Sequence, residues 1–144
     1  MRKIALSELD TVADELLAAL PRGLARATVV GLSGNLGAGK TTFVQTLGHK
    51  LGISDTIQSP TYVLMKKYAI NYQSFTQLVH IDAYRLMDPE EFLTLKPERF
   101  LYDPQNLVVV EWPEQIAGLL PTPDITMRFS ADGAAEGERY ITFE

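Results

Sequence analysis

Apolar residues recur along this chain with two different periods, and the switches between them mark out its elements. Leu9, Val12, Ala13, Leu16, Leu17 and Leu20 fall at helical spacing, with Ser7 placed to cap the helix and Pro21 and Gly23 to end it. Residues 27–32 form a short β-branched and apolar run, which predicts a buried strand. A glycine-rich segment comes next, and then TTFVQTLGHKLG, which patterns as a helix stopped by Gly52. Residues 61–68, 78–82 and 107–112 read as further strands, the last so apolar that a central place in a sheet is expected. Between the second and third of these, DPEEFLTL predicts a short helix with Pro89 in its first turn and Glu90 and Glu91 near its positive end. PEQIAGLLP (113–121) predicts another. DITMRF and RYITF, joined by SADGAAEGE, read as a hairpin.

Strands alternate with helices through the middle of the chain. That order predicts an α/β fold of the P-loop NTPase type. It is a three-layer sandwich with a mostly parallel central sheet, helices on both faces and an antiparallel C-terminal edge. No repeat, low-complexity tract or linker divides the sequence, so one domain over 1–144 is expected.

Composition narrows the function. Apolar residues make up 46% and charged residues 22%, the balance of an ordinary globular protein. A formal net charge of -5 argues against strong independent binding to nucleic acid or anionic membrane, since like charge repels both. With no cysteine there is no disulfide framework, thiolate zinc site or thiol nucleophile. Glu8, Asp10, Asp14 and Glu15 interrupt the N-terminal stretch where a signal peptide would be apolar. The apolar runs are far shorter than the roughly 20 residues that span a bilayer. A cytoplasmic domain is expected.

The glycine-rich segment carries the chemistry. Gly34-Asn-Leu-Gly-Ala-Gly39-Lys40-Thr41 satisfies G-x-x-x-x-G-K-[ST] without a mismatch. Such a loop must wrap a β-phosphate with its N–H groups inward, and a Cβ in the wrong place blocks the approach. Asn35, Leu36, Gly37, Ala38, Gly39, Lys40, Thr41 and Thr42 are therefore the expected nucleotide-binding positions. Lys40 reaches the β- and γ-phosphates, and the Thr41 hydroxyl is a natural Mg²⁺ ligand. An apolar strand before the loop and an amphipathic helix after it supply the context this mechanism requires.

Two strands end in an acid, at Asp82 and Glu111, and both acids should lie at the sheet edge that carries the loop. One would hold Mg²⁺ while the other orients water or senses the γ-phosphate; the pattern does not say which. Ser59-Pro60-Thr61 either presents the Thr61 hydroxyl to the metal and γ-phosphate, as a switch loop does, or is a proline turn entering a strand. Taken alone, Trp112 reads as cover for the core edge and His80 as a core-edge histidine. Lys66-Lys67 reads as a solvated strand end. Two other functions fit a phosphate loop: a small-molecule kinase, and a nucleotide-gated interaction module with negligible turnover. A kinase usually adds an arginine-rich lid, and no such insertion is present.

Together, GNLGAGKTT (34–42), SPTY (59–62), HIDAYRL (80–86) and VVEW (109–112) resemble one family in order and spacing: TsaE, formerly YjeE, the small P-loop ATPases of bacterial tRNA threonylcarbamoyladenosine synthesis. The resemblance implies an ATPase that is weak alone and acts on a complex of two partner proteins, TsaD and TsaB. Those partners build the modification on the adenosine next to the tRNA anticodon. It implies ATP and Mg²⁺ as cofactors, with the metal near Thr41 and Glu111. It also implies a switch at Thr61, catalytic roles for Asp82, Thr61 and Glu111, and a place for Trp112 at the nucleotide. His80 and Tyr84-Arg85 gain weight from it too. The chain departs from the family at Ala83, in FLTLKPERFLYDP and in its ending RYITFE, all outside the phosphate loop.

Overall fold

The computed structural model describes residues 1–35, 37–54 and 64–144, with Arg85 described by its backbone alone. Leu36, the 59–62 segment with Thr61, and the start of the strand expected over 61–68 lie outside the described residues. The strands are β1 (Arg2–Ala5), β2 (Thr28–Ser33), β3 (Met65–Tyr72), β4 (Phe75–Asp82), β5 (Asn106–Glu111), β6 (Ile125–Ser130) and β7 (Glu138–Phe143). The helices are α1 (Leu9–Ala19), α2 (Lys40–Lys50) and α3 (Glu98–Leu101). One seven-stranded sheet runs in the order β1-β7-β6-β2-β5-β4-β3. Its four inner strands β6, β2, β5 and β4 are parallel, and the pairs β1–β7, β7–β6 and β3–β4 are antiparallel.

Burial explains the parallel centre. All six residues of β2 and all six of β5 are buried, so both faces of these strands must be covered. On one face Leu9, Val12, Leu16 and Leu17 of α1 and Phe43, Val44 and Leu47 of α2 pack with Val30, Leu32, Leu107 and Val109. On the other, Val29, Val79, Ile81, Val108 and Val110 lie in a cluster with Phe92, Phe100, Leu101 and Ile116. The three-layer α/β architecture expected from the sequence is therefore present.

The second helical layer is thinner than its sequence suggests. DPEEFLTL forms a 3-10 helix over Pro89–Leu95, started by Asp88, whose carboxylate accepts from the Glu90 N–H at 3.0 Å. PEQIAGLLP gives a single 3-10 turn over Pro113–Ile116, because the backbone is extended at Ala117 and left-handed at Gly118 (φ 89°). Ser7 does not cap α1; it lies in a 3-10 turn over Leu6–Glu8 that leads into the helix.

The C-terminal strands pair antiparallel as expected; the structure adds a strand, β1, at one side of the sheet and extends the strand expected over 61–68 at the other. β1 pairs outside β7, with Arg2 opposite Ile141 and Ala5 opposite Glu138. On the far side β3 runs on to Tyr72 and returns as β4 through a turn in which Gln73 has φ 53°.

A polar clamp fixes the start of the parallel centre. Asp124 takes two hydrogen bonds from the Arg26 guanidinium, at 2.7 and 3.0 Å, and one from the Val29 N–H at 2.8 Å. Burial pushes the Asp124 carboxyl up, but the Arg26 and Val29 hydrogen bonds and the Arg26 charge outweigh it and hold the group below its ordinary value. A carboxyl so depressed stabilises the fold at pH values above its unfolded pKa, and the contribution disappears as the pH falls through the folded one. Asp124→Asn should accordingly cost about 1–2 kcal/mol in urea unfolding at pH 7. The same comparison at pH 3 should show a smaller difference; a pH-independent loss would mean that the charge is not what stabilises the clamp.

Candidate functional site

The loop between β2 and α2 is shaped by backbone that only glycine adopts easily. Gly34 has φ 140°, and a Cβ built there would stand 2.3 Å from the Phe129 carbonyl oxygen, so the loop passes too close to β6 for any side chain. Gly39, at φ 106°, turns the chain into α2. The first backbone hydrogen bond of that helix runs from the Phe43 N–H to the Gly39 carbonyl at 2.9 Å. The N–H groups of Lys40, Thr41 and Thr42 therefore point out of the helix end without an intrahelical acceptor, at its positive pole. An anion is the complement of that arrangement.

Lys40 folds back across the loop. Its ammonium donates to the carbonyls of Gly34 and Asn35, the latter at 2.9 Å, and stands 4.6 Å from the centre of the Trp112 ring. Only 5% of Lys40 is exposed. Burial lowers its pKa below the ordinary lysine value, against the opposing pull of Glu111, Asp82 and Glu114. A positive charge is thus kept in a poorly hydrated place, where a phosphate would meet it with little water to displace.

The two strand-end acids are brought level by sheet register. Asp82 of β4 lies opposite Glu111 of β5, and Glu111 lies opposite Leu32 of β2. Because side chains alternate along a strand, His80, Asp82 and Glu111 share the α2 side with Leu78, Leu107 and Val109. Glu111 is 3% exposed and is the hub of the site. It accepts the Thr41 hydroxyl at 3.0 Å and lies 2.6 Å from Nε2 of the fully buried His80. The other His80 ring nitrogen has no partner among the described residues. Asp82 accepts the Tyr84 N–H at 3.0 Å, which turns the chain sharply after β4.

Trp112 takes a left-handed backbone (φ 62°), uncommon for a bulky residue, and its N–H bonds the Leu32 carbonyl at 2.9 Å. That turn carries the indole out of the strand to lie against Lys40 and the Tyr84 ring, whose centroid is 5.0 Å away.

These parts line one cleft of ≈ 330 Å³. Of the residues expected from the sequence, Gly37, Gly39, Lys40, Thr41, Thr42, Asp82, Glu111 and Trp112 face it together. Asn35 contributes the carbonyl that holds Lys40, while Ala38 is buried in the core beneath the loop. Leu36 and Thr61 lie outside the described residues. His80, read by its strand as a core-edge residue, is buried as that reading required and also bonds Glu111. Its place two residues before Asp82 on a strand was the signal for a shared face. Tyr84, Leu6 and Arg139 also line the cleft; the latter two come from opposite ends of the chain, and no local pattern marks them.

Fold and cleft define a class: an α/β protein with a glycine loop between a strand and a helix, and acids ending β4 and β5 that face the same cleft. The family model described as Threonylcarbamoyl adenosine biosynthesis protein TsaE matches residues 6–141, and the chain belongs to the TsaE family. It is 39% identical over 117 residues to the tRNA threonylcarbamoyladenosine biosynthesis protein TsaE of Treponema pallidum, covering 80% of this chain and 83% of that one. With the protein of the same name from Haemophilus influenzae it shares 38% identity over 100 residues, 69% of this chain and 61% of the relative. A crystal structure of YdiB from Bacillus subtilis superposes with a TM-score of 0.69 at 27% identity, over 99% of this chain and 83% of that one.

Proposed function

We propose that this chain binds ATP with Mg²⁺ in the cleft and hydrolyses it in the service of tRNA threonylcarbamoyladenosine modification. It acts on a complex of TsaD and TsaB rather than as the transferase. The observation that carries the reading is the Thr41–Glu111 hydrogen bond beside Lys40 and Asp82, which gathers phosphate, metal and water chemistry within one cleft. The names borne by the family and its relatives support the pathway. The net charge of -5 supports contact with tRNA through the partners rather than directly. Work on tRNA in turn supports a cytoplasmic location, and no helix among the described residues is long and apolar enough to cross a membrane.

The residues divide the work. Amides of the loop and of the α2 start, with Lys40, bind the β- and γ-phosphates. Thr41 and Glu111 would hold Mg²⁺: both offer oxygen, the donor this ion prefers. Among the described residues no three His, Cys, Asp or Glu side chains gather to hold a metal ion. When bound, the ion supplies positive charge to the phosphate oxygens as the γ-phosphoryl group departs. Asp82 orients the attacking water or senses the γ-phosphate, with Thr61 as its switch partner, and His80 holds the Glu111 carboxylate in place. Water attacks the γ-phosphorus, the bond to the β-bridging oxygen breaks, and ADP and phosphate leave with the proton released to solvent.

Hydrolysis of ATP by the purified chain, with and without Mg²⁺, and then with TsaD and TsaB added, tests this. Slow turnover that rises sharply with the partners is expected. Brisk turnover indifferent to them would favour a kinase and a search for its acceptor. Asp82→Ala should lower turnover by about 10²-fold while leaving ATP affinity within roughly threefold. Equal losses in both would remove Asp82 from the hydrolytic step.

A further inference from the structure

The turn that follows β5 is tied to β2 at three successive positions. Pro113 lies flat on Gly31, where an added Cβ would stand 2.9 Å from its ring. The Trp112 N–H bonds the Leu32 carbonyl at 2.9 Å. Glu114 then reaches Ser33, whose hydroxyl donates to its Oε2 at 2.9 Å. β2 ends at Ser33, and the glycine loop begins at the next residue, Gly34, whose carbonyl accepts the Lys40 ammonium. One short turn thus joins the strand end that carries Glu111 to the strand end that launches the loop.

The Ser33–Glu114 contact lies behind the cleft rather than in it. Side chains alternate along β2, so Ser33 shares with Gly31 and Val29 the face away from α2, while Leu32 faces that helix. Ser33 and Glu114 line a separate cavity of ≈ 480 Å³ with Pro113 and Arg128, and neither lines the cleft that holds Lys40 and Glu111. An exposed glutamate ordinarily stays hydrated, because holding a long side chain in one rotamer gains little at the surface. Glu114 is exposed, yet it turns back to a serine of which only 6% is exposed. Burial lowers the Lys40 pKa, and Glu114 is among the three carboxylates that oppose this, so it stands within electrostatic reach of the loop.

We propose that Glu114 is a positioning residue for ATP hydrolysis: through Ser33 it braces the start of the loop against the turn after β5, and so fixes Lys40 and Thr41 relative to Glu111. The proposal rests on the ATPase reading above and adds to it the contact that sets its alignment. Thr41 and Glu111 come from separate elements and must meet one ion, and a misplacement of about 1 Å costs up to roughly 10²-fold in rate. Of the three ties between turn and strand, Ser33–Glu114 is the one that adjoins the loop.

Steady-state kinetics of Mg-ATP hydrolysis would be compared in the wild type, Glu114→Ala, Ser33→Ala, the double variant and Glu114→Gln. Thermal melts verify each fold, and direct titration gives each ATP dissociation constant. The two single alanine variants should each lower kcat about tenfold and raise the Mg²⁺ concentration for half-maximal turnover, with ATP affinity within about twofold of the wild type. The double variant should lose no more than either single one, since both remove the same bond. Glu114→Gln keeps an oxygen for the Ser33 hydroxyl and should recover to within about threefold of the wild type. Losses that multiply in the double variant overturn the brace. So does a Gln variant as slow as the Ala variant, which would assign the effect to charge at Lys40. A lower melt with unchanged kcat would make the contact structural only and overturns it too. Ser33→Ala and Glu114→Gln decide the matter if Glu114→Ala fails to fold. A wild type that hydrolyses ATP while every variant keeps pace refutes this proposal alone. A wild type with no Mg-dependent hydrolysis refutes the ATPase reading as well.

Discussion

Lys40→Ala should remove ATP binding and, with it, any hydrolysis. Turnover should fall by at least about 10²-fold, the consequence of losing roughly 3 kcal/mol of electrostatic stabilisation at the transferring phosphoryl group. The fold should not suffer. Lys40 is buried, and burial lowers its pKa, which means that the folded chain does not favour the charge it holds there. Its two loop-carbonyl hydrogen bonds and its place against Trp112 recover only part of that cost. A thermal melt of the variant should therefore match or exceed that of the wild type. Isothermal titration with Mg-ATP checks the binding arm. Retained affinity would mean that the loop holds nucleotide through its amides alone, and a collapsed melt would mean that Lys40 supports the loop rather than the ligand.

Glu111→Gln should have the second-largest effect. The amide keeps the volume of the carboxylate and can still accept from Thr41, now 3.0 Å from the acid, but it loses the charge that would draw Mg²⁺. Turnover at saturating Mg²⁺ should drop by about 10²-fold, and the Mg²⁺ concentration needed for half-maximal turnover should rise. ATP affinity measured without metal should change little, or improve, because a negative charge has been taken from beside the phosphates. A variant that hydrolyses ATP with unaltered Mg²⁺ dependence would transfer the metal-organising role to another group. The 2.6 Å contact with His80 adds a structural cost, since the new amide must then satisfy a buried ring nitrogen that the carboxylate satisfied.

What was legible in the sequence follows how local each interaction is. The glycine loop is made by consecutive residues, so its glycines, Lys40 and Thr41 mark it without reference to the rest of the chain. Asp82 and Glu111 were legible for a related reason: an acid that ends an apolar strand must come out at a sheet edge. That Glu111 is the one bonded to Thr41 was not legible from spacing, because it depends on β5 lying directly beside β2, with Asp82 one strand farther out. Arg139 and Leu6 were invisible for the same reason taken further. They meet only because β1 pairs with β7, between opposite ends of the sequence, and a four-residue strand such as RKIA carries too little periodicity to reveal that pairing. The extension of β3 to Tyr72 was hidden by polar residues on its solvent-facing positions, where alternation is easily mistaken for a loop.

The left-handed turn at Trp112 has a practical consequence. It places the chain's single tryptophan against the one lysine on which the reading of the site depends. The tryptophan emission of the unmodified protein therefore comes from one indole, beside a charge whose hydrogen bonds would have to rearrange if a phosphate bound as proposed. Binding in the cleft should therefore change that emission, with no label, no engineered reporter and no second indole to subtract.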